Sequence, residues 1–410
     1  MSADIRARLA AILSIVVAAL PSISQAREYT LDYQATLRLA AERAPAVLAA
    51  RGRIDERRAQ RAGAGLFLPS NPELDVAVGP RLQDGRTTTD FALGLGQSLE
   101  FGRRGARLAL VDAGVGQAVT AAQDALRLAR RDAALAYFRV RFADKRVELA
   151  RLAEGAAADL LATTERRLAK GDAVALDVNL ARSALGRARS ATLALEAERE
   201  QALGELRALL ALEPTDTLVV TGELKPGGIF DLPVLLAAAS RRPDLRQLDA
   251  ERDEGAALAR LGRGQGWPDL RLGVTWSHEE SADIVLGGVT IGLPLAQRGQ
   301  EARRVGAAQI ARAAEERLGR ARAVDAEVRA AFAAYQKRLA AVEAFERDVL
   351  PLLDENDRLL ARTYDAGQLA ITDYLVARRE ILEARIEYLE RLHELVQAAT
   401  LLQAAAGVLS

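Results

Sequence analysis

The sequence predicts a mixed α and transmembrane-β chain, built as two tandem copies of one unit. Long coiled-coil helical hairpins and four β-strands per protomer make up that unit pair. Three observations predict it. The chain repeats itself with a period of about 196 residues, the spacing from Gly171 to Gly367. Each copy holds a long helical run, 105–169 and 300–365, broken only by isolated glycines and one proline. Each copy also holds two stretches of alternating apolar residues, about ten residues long, the length a tilted strand needs to cross a bilayer.

Composition narrows the field before any motif is read. The 410 residues include 56 basic and 56 acidic side chains, so no basic excess is available for a phosphate backbone and nucleic acid is excluded as a partner. Aromatic residues make up only 4%, thin for conventional cores in a chain of this length, and Ala, Leu, Arg and Glu suit long packed helices. The absence of cysteine removes disulfides, thiolate chemistry and any acceptor for an N-terminal lipid anchor.

At the start, Arg6 and Arg8 precede the apolar run Leu9 to Leu20, and Ser24-Gln25-Ala26 offers small residues at a cleavage site. This pattern predicts a secretory signal over 1–26, cleaved after Ala26. No later stretch approaches the 18 consecutive apolar residues of a membrane-spanning helix.

The duplication rests on four matches in the same order. Ala41-Glu42-Arg43-Ala44-Pro45 is echoed by Ala239-Ser240-Arg241-Arg242-Pro243, and Asn71-Pro72-Glu73-Leu74 by Trp267-Pro268-Asp269-Leu270. Leu93-Gly94-Leu95 is matched to Ile291-Gly292-Leu293, and Gly171 to Asp177 to the run from Gly367 to Asp373. The copies therefore span 27–212 and 234–410, joined by a non-helical connector over 213–233 rich in Pro, Gly, Thr and Val.

Within each copy the expected order is helix, two strands, very long helix, tight turn, helix. Leu31, Leu37, Leu39, Val47 and Leu48 give helical spacing over 30–66. A hairpin over 72–100 follows, with Leu74, Val76 and Val78 facing Phe91, Leu93 and Leu95 across a turn at Asp84-Gly85. The second copy repeats it over 268–295, through Leu270, Leu272, Val274 and Trp276, then Val285, Val289 and Ile291. One apolar and one small or polar face suit lipid on one side and a lumen on the other. Four strands cannot close a barrel, and an open edge is forbidden in lipid, so the pattern asks for several copies of the chain. At 1.5 Å per residue the long helices would run to about 100 Å. Pro351 and its counterpart Gly155 are read as a matched bend.

At this point the residues carry a resemblance. The duplicated order, with Leu-Pro-Ser-Asn-Pro-Glu-Leu at 68–74 opening the first hairpin, resembles TolC-type outer-membrane efflux proteins. Gln97-Ser98-Leu99-Glu100-Phe101-Gly102-Arg103-Arg104 resembles the heavy-metal, cobalt–zinc–cadmium branch. The resemblance covers Tyr29 to Leu409 and implies a homotrimer, with a twelve-stranded barrel in the outer-membrane lipid of a Gram-negative bacterium and an α-helical tunnel through the periplasm. It implies a periplasmic adaptor, the membrane fusion protein, and an inner-membrane resistance–nodulation–division pump as partners, meeting the tips at Gly171 and Gly367. Energy would come from the pump, so the chain would need no cofactor and catalyse nothing. Divalent heavy-metal cations are the implied cargo; drug efflux and type I protein secretion through the same kind of duct are the alternatives within the family. A structural periplasmic coiled-coil protein is the alternative outside it, and the alternating strands weigh against that.

For the entrance, the resemblance implies that Asp373 belongs to an acidic ring, where three symmetry-related carboxylates would raise one another's pKa and attract cations. An aspartate capping a helix start explains the same residue. Val376 stands where some relatives carry a second acid, which argues against a double ring. Asp177 is the repeat partner of Asp373, and Arg182 and Arg378 could tie neighbouring helices or simply be solvated. His278, Glu279, Glu280 and Asp283 at the second hairpin turn are candidate metal ligands, against a charged surface loop. His393 reads as a packing or surface residue. Gly94-x-Gly96 and Gly262-x-Gly264-x-Gly266 are not phosphate loops, lying in or before strands, and read as flexible junctions or small lumen-facing residues. No catalytic constellation is present, since neither histidine has a nucleophile-like neighbourhood.

Overall fold

The computed structural model describes residues 27–225, 228, 230–279 and 282–409. The expected signal segment with Ala26, and Glu280 of the candidate metal cluster, lie outside the described residues. In chain order the elements are β1 (Glu28–Leu31), α1 (Tyr33–Arg43), α2 (Pro45–Ala64), β2 (Glu73–Gln83), β3 (Arg86–Leu99), α3 (Arg104–Lys170), α4 (Ala175–Leu209), β4 (Thr217–Val220), α5 (Leu232–Ala239), α6 (Pro243–Gly264), β5 (Asp269–Glu279), β6 (Ala282–Gly292), α7 (Gln300–Asp348), α8 (Leu350–Asp365) and α9 (Ile371–Ala406).

The four long strands form one antiparallel sheet in the order β2-β3-β5-β6. Asp84 and Gly85 take positive φ, 49° and 78°, the two-residue turn whose twist suits a hairpin. The register corrects one of the sequence matches. Leu74 pairs with Leu95, and its counterpart Leu270 pairs with Ile291, so Ile291 answers to Leu95 rather than Leu93. A slip of two residues preserves the pleat, so both alignments present the same face.

The single helix expected over 30–66 is instead a strand and two helices. Asp32 caps α1, accepting the Ala35 N–H at 2.6 Å, and Pro45 restarts the chain as the first residue of α2. The connector is also more than a linker, because its β4 pairs in parallel with β1 across the length of the first repeat. Asp216 fixes that pairing by accepting the Arg27 N–H at 3.0 Å.

The two positions of the matched bend differ. Pro351 lacks the N–H that would reach the carbonyl of Arg347, and its ring crowds that oxygen. The chain therefore breaks at Val349 (φ −115°, ψ −49°) and α8 starts with the proline in its first turn. Helix α3 runs through Gly155 without interruption, one exposed glycine being carried by the hydrogen bonds of 67 residues.

Gly262 is neither a flexible junction nor a lumen residue. An ideal Cβ there would lie 2.7 Å from the Arg303 N and 2.8 Å from the Gly299 O, and one at Gly306 would lie 2.5 Å from the Gly255 O. Glycines seven apart on α6 and α7 thus let the two backbones touch.

The core lies in separate clusters along the molecule. Around its middle, Tyr137, Val140, Leu206 and Leu210 pack under the β1–β4 pair, and Tyr137 donates to the Thr221 carbonyl at 2.6 Å. A second cluster joins α5, α7 and the end of α9 through Leu235, Val328 and Leu402. A third sits at the hairpin tips, around Leu160, Tyr364 and Tyr374. Between the first two helices of the tunnel arm, ion pairs such as Arg151–Glu196 (2.6 Å) and Arg199–Asp144 (2.6 Å) lace α3 to α4. Exposed pairs of this kind are worth at most about 1 kcal/mol each, so burial along the seam holds the hairpin.

Candidate functional site

Both tips are closed by glycine. Gly171 sits at φ 83° and Gly367 at φ 74°, the left-handed region where a Cβ is strained. The Asp172 N–H returns to the Arg167 carbonyl at 2.9 Å, and the Gln368 N–H to the Thr363 carbonyl at 3.1 Å, so each turn closes on its own helix end.

The two repeat-related aspartates differ. Asp177 accepts the Val174 N–H at 3.1 Å and so closes the start of α4. Asp373 is the third residue of α9 and is exposed, and among the described residues no N–H or cation meets its carboxylate. Both aspartates stand in the first turn of a helix, where the helix dipole favours a carboxylate, but only Asp177 also accepts a backbone N–H there.

The arginines also divide. Arg182 reaches Glu165 at 3.2 Å across the α3–α4 hairpin and is well exposed. Arg378 is drawn inward to Asp357 on α8, which Arg385 also approaches at 3.3 Å. Burial and the neighbouring Arg385 charge both lower the Arg378 pKa. Each of these arginines ties helices within one protomer. A cleft of about 430 Å³ opens beside them between α3, α4 and α9, floored by Leu152, Leu160 and Leu382 and rimmed by Arg187, Arg378 and Arg379.

A latch that sequence reasoning missed joins the two repeats at this end. Thr164 on α3 and Tyr364 on α8 are both buried, with their hydroxyls 2.9 Å apart. The guanidinium of Arg167 lies 5.2 Å from the centre of the Tyr364 ring. Tyr374 packs on the same ring, and its burial, with the Asp365 charge, raises its pKa. Nothing in the periodicity singles out a threonine and a tyrosine 200 positions apart.

At the other end the sheet has two chemically distinct faces. Directly paired residues share a face, and the pairs Val76–Leu93, Leu93–Trp276 and Trp276–Val285 run across all four strands. This apolar face is open, with Val76, Val78, Val274 and Val289 all exposed. The opposite face carries Glu73, Asp75, Arg81, Arg86, Asp90, Asp269, Arg271 and Glu279 among small residues, with Ile284 and Leu286 on β6. The outer edges of β2 and β6 have no strand partner among the described residues.

The strand ends meet the helices at an arginine-sewn joint. Arg103 donates to the carbonyls of Gly264 (3.2 Å) and Trp267 (2.9 Å), Arg104 to Gly65 (2.7 Å) and Arg107 to Leu66 (2.9 Å). These carbonyls lie at and just beyond the ends of α2 and α6, so the Glu100 to Arg104 motif satisfies backbone groups where helix becomes strand. Phe67, Trp267 and Leu295 stand exposed at this level, as in the interfacial belt of a membrane barrel.

Of the candidate metal ligands, His278, Glu279 and Asp283 are described and Glu280 is not. His278 bonds Asp283 at 2.9 Å on the apolar face, whereas Glu279, one residue along the pleat, points to the other face and pairs with Arg81 at 2.5 Å. Among the described residues no group of three or more such side chains converges on a metal position. His393 is a packing residue, stacked on Phe142 at 4.3 Å.

Comparison with known proteins decides the family. A profile described as outer membrane efflux protein matches residues 36–212 and 234–408. The chain belongs to the outer membrane efflux protein family. The two matched segments are separated by residues 213–233. The cobalt-zinc-cadmium resistance protein CzcC of Cupriavidus metallidurans is 26% identical over 347 residues, covering 82% of this chain and 81% of that protein. Among solved structures, CusC, described for its transmembrane channel formation, superposes with TM-score 0.70 at 18% identity over 91% of each chain. The CmeC outer membrane channel of Campylobacter jejuni gives 0.72 at 16% identity, over 92% of this chain and 85% of that one. The efflux protein is therefore a TolC-type outer-membrane channel reaching into the periplasm, and not an enzyme. No helix among the described residues is long and apolar enough to cross a membrane.

Proposed function

We propose that the efflux protein is the passive exit duct of a tripartite pump and works as a homotrimer that exports divalent heavy-metal cations. The observation that carries the assembly is the four-stranded sheet with one exposed apolar face and two unpartnered edges. In lipid such edges must be paired. All neighbours in the sheet are antiparallel, so β6 of one copy can meet β2 of the next in the same sense, and three copies close twelve strands. Residues 1–26 then serve as the secretion signal, cleaved after Ala26. The tips at Gly171 and Gly367 dock a periplasmic adaptor of a resistance–nodulation–division pump. Asp373 supplies the entrance ring, and its exposed, unpartnered carboxylate supports that role over a helix cap. The cation cargo is supported by the likeness to a cobalt-zinc-cadmium resistance protein.

The test is planar-bilayer conductance of purified 27–410, wild type against Asp373→Asn. Long-lived cation-selective steps whose divalent block is lost in the variant are expected. Steps indifferent to the substitution would remove Asp373 from the entrance, and a water-soluble monomer would overturn the duct.

A further inference from the structure

The polar face of the sheet is ordered into bands. Near the helices stand Glu73, Asp75 and Arg271, with Asp269 paired to Arg103; near the hairpin turns stand Arg81, Arg86, Asp90 and Glu279; between them β2, β3 and β5 present small residues, Ala77, Ala92, Gly94 and Thr275, while β6 presents Ile284 and Leu286. In each charged band one arginine crosses a strand to reach two carboxylates on its neighbours. Arg271 starts on β5 and crosses β3 to reach Glu73 at 2.5 Å and Asp75 at 3.2 Å on β2. Arg81 makes the reverse crossing, from β2 to Asp90 at 2.8 Å on β3 and Glu279 at 2.5 Å on β5.

The crossing of Arg271 depends on one glycine. At Gly96, the β3 position it passes over, a Cβ would lie 2.6 Å from the Arg271 Nε and 2.7 Å from its Nη2. The guanidinium is thus laid against the wall, where any side chain at 96 would lift it away. In the group near the helices Arg271 neutralises one of the two carboxylates that hold it, leaving one net negative charge per chain, whereas near the hairpin turns Arg86 on the same face adds a second cation to Arg81.

We infer that Arg271, laid flat over Gly96 by Glu73 and Asp75, sets the charge preference of the barrel lumen, which passes cations ahead of anions of the same size. The inference rests on the reading that this face lines a barrel closed by three copies. Twelve strands about 4.8 Å apart, tilted by about 40°, enclose a backbone diameter of about 24 Å. Three Arg271 guanidinia turned toward the axis would form a cationic ring; held down, they leave three net carboxylate charges. The wall-to-axis distance of about 12 Å compares with a screening length of about 8 Å at physiological salt. The preference is therefore strong at the wall and a matter of several-fold.

The chain has no cysteine, so a single introduced thiol reads the local potential. Thr275→Cys lies in the middle band on the same face as Arg271. In the full chain in outer-membrane vesicles, its modification rates by trimethylammonium-ethyl and sulfonatoethyl methanethiosulfonate are compared, each scaled to a free thiol. The cationic reagent should be favoured by about three- to tenfold, as for a potential of about one kT at the wall. Arg271→Gln should raise that ratio, and Glu73→Gln with Asp75→Asn, which frees Arg271, should lower it at least about threefold. A ratio moved less than twofold by both changes overturns the inference. Arg271→Gln keeps the question open to decision if the double variant does not assemble. Val274→Cys, on the apolar face, separates the two readings: if it reacts as fast as Thr275→Cys, the barrel fails, whatever the charge ratio.

Discussion

The latch at the tips has a directional hydrogen bond whose removal should cost different amounts from its two ends. Thr164 spends its one hydroxyl hydrogen on the Leu160 carbonyl at 2.8 Å, so across the 2.9 Å contact Tyr364 is the donor and Thr164 the acceptor. Tyr364→Phe leaves only an unfilled lone pair on Thr164, a loss of about 1 kcal/mol. Thr164→Val leaves the Tyr364 O–H buried with no acceptor, a desolvation cost of about 2 kcal/mol on top of a matched shape. The double variant replaces both polar partners and should return to about 1 kcal/mol or less. At about 1.4 kcal/mol per tenfold, hydrogen exchange of the amides over 360–366 should quicken about fivefold in Tyr364→Phe and about thirtyfold in Thr164→Val. The double variant should exchange no faster than Tyr364→Phe. Equal effects from the two single variants, or an additive double, would refute the donor assignment.

Arg242 is 2% exposed and donates to the Ala405 carbonyl at 2.7 Å, to Asp244 at 2.8 Å and to Glu327 at 3.0 Å. Arg242→Ala should cost about 3 kcal/mol, because it leaves Asp244 with Arg320 as its one cation and the Leu245 N–H, with faster exchange over 398–406 as the readout. His393 has its pKa lowered to about 4, first by burial and then by Arg139. The unfolded chain therefore binds the proton more tightly, and stability should be full above about pH 6.5 and fall as the pH drops toward 4. His393→Gln should flatten that part of a denaturant midpoint-versus-pH curve. Gly306→Ala would set a Cβ 2.5 Å from the Gly255 carbonyl and 2.7 Å from the Ala259 N, so α6 and α7 must part, lowering stability by about 2 kcal/mol in chemical unfolding.

Much of this molecule is legible in its sequence because its elements are long and regular. The pleat needs only a two-residue alternation, and Leu74, Val76 and Val78 announce it; the tips need a residue that tolerates positive φ, and Gly171 and Gly367 supply it. What escapes is short or distant. Strands β1 and β4 have four residues each, too few for a period, and they meet only because the first repeat brings its ends together. Pro45 and Pro243 start helices, which looks in sequence like continuation of the same apolar pattern. The pleat also separates neighbours in sequence, since His278 and Glu279 belong to opposite faces. Thr164 and Tyr364 are ordinary residues whose partnership exists only in three dimensions.

The Asp75–Arg271 pair bears on how such a chain arose. The two positions are 196 apart, so they are the same seat in the two copies of the unit. A ring of identical single-hairpin subunits places one residue at every such seat, and symmetry then faces like charge with like. Fusing two copies into one polypeptide lifts that constraint, because each half can drift by itself. Acid in one half and base in the other is a contact closed to a ring of identical single-hairpin subunits.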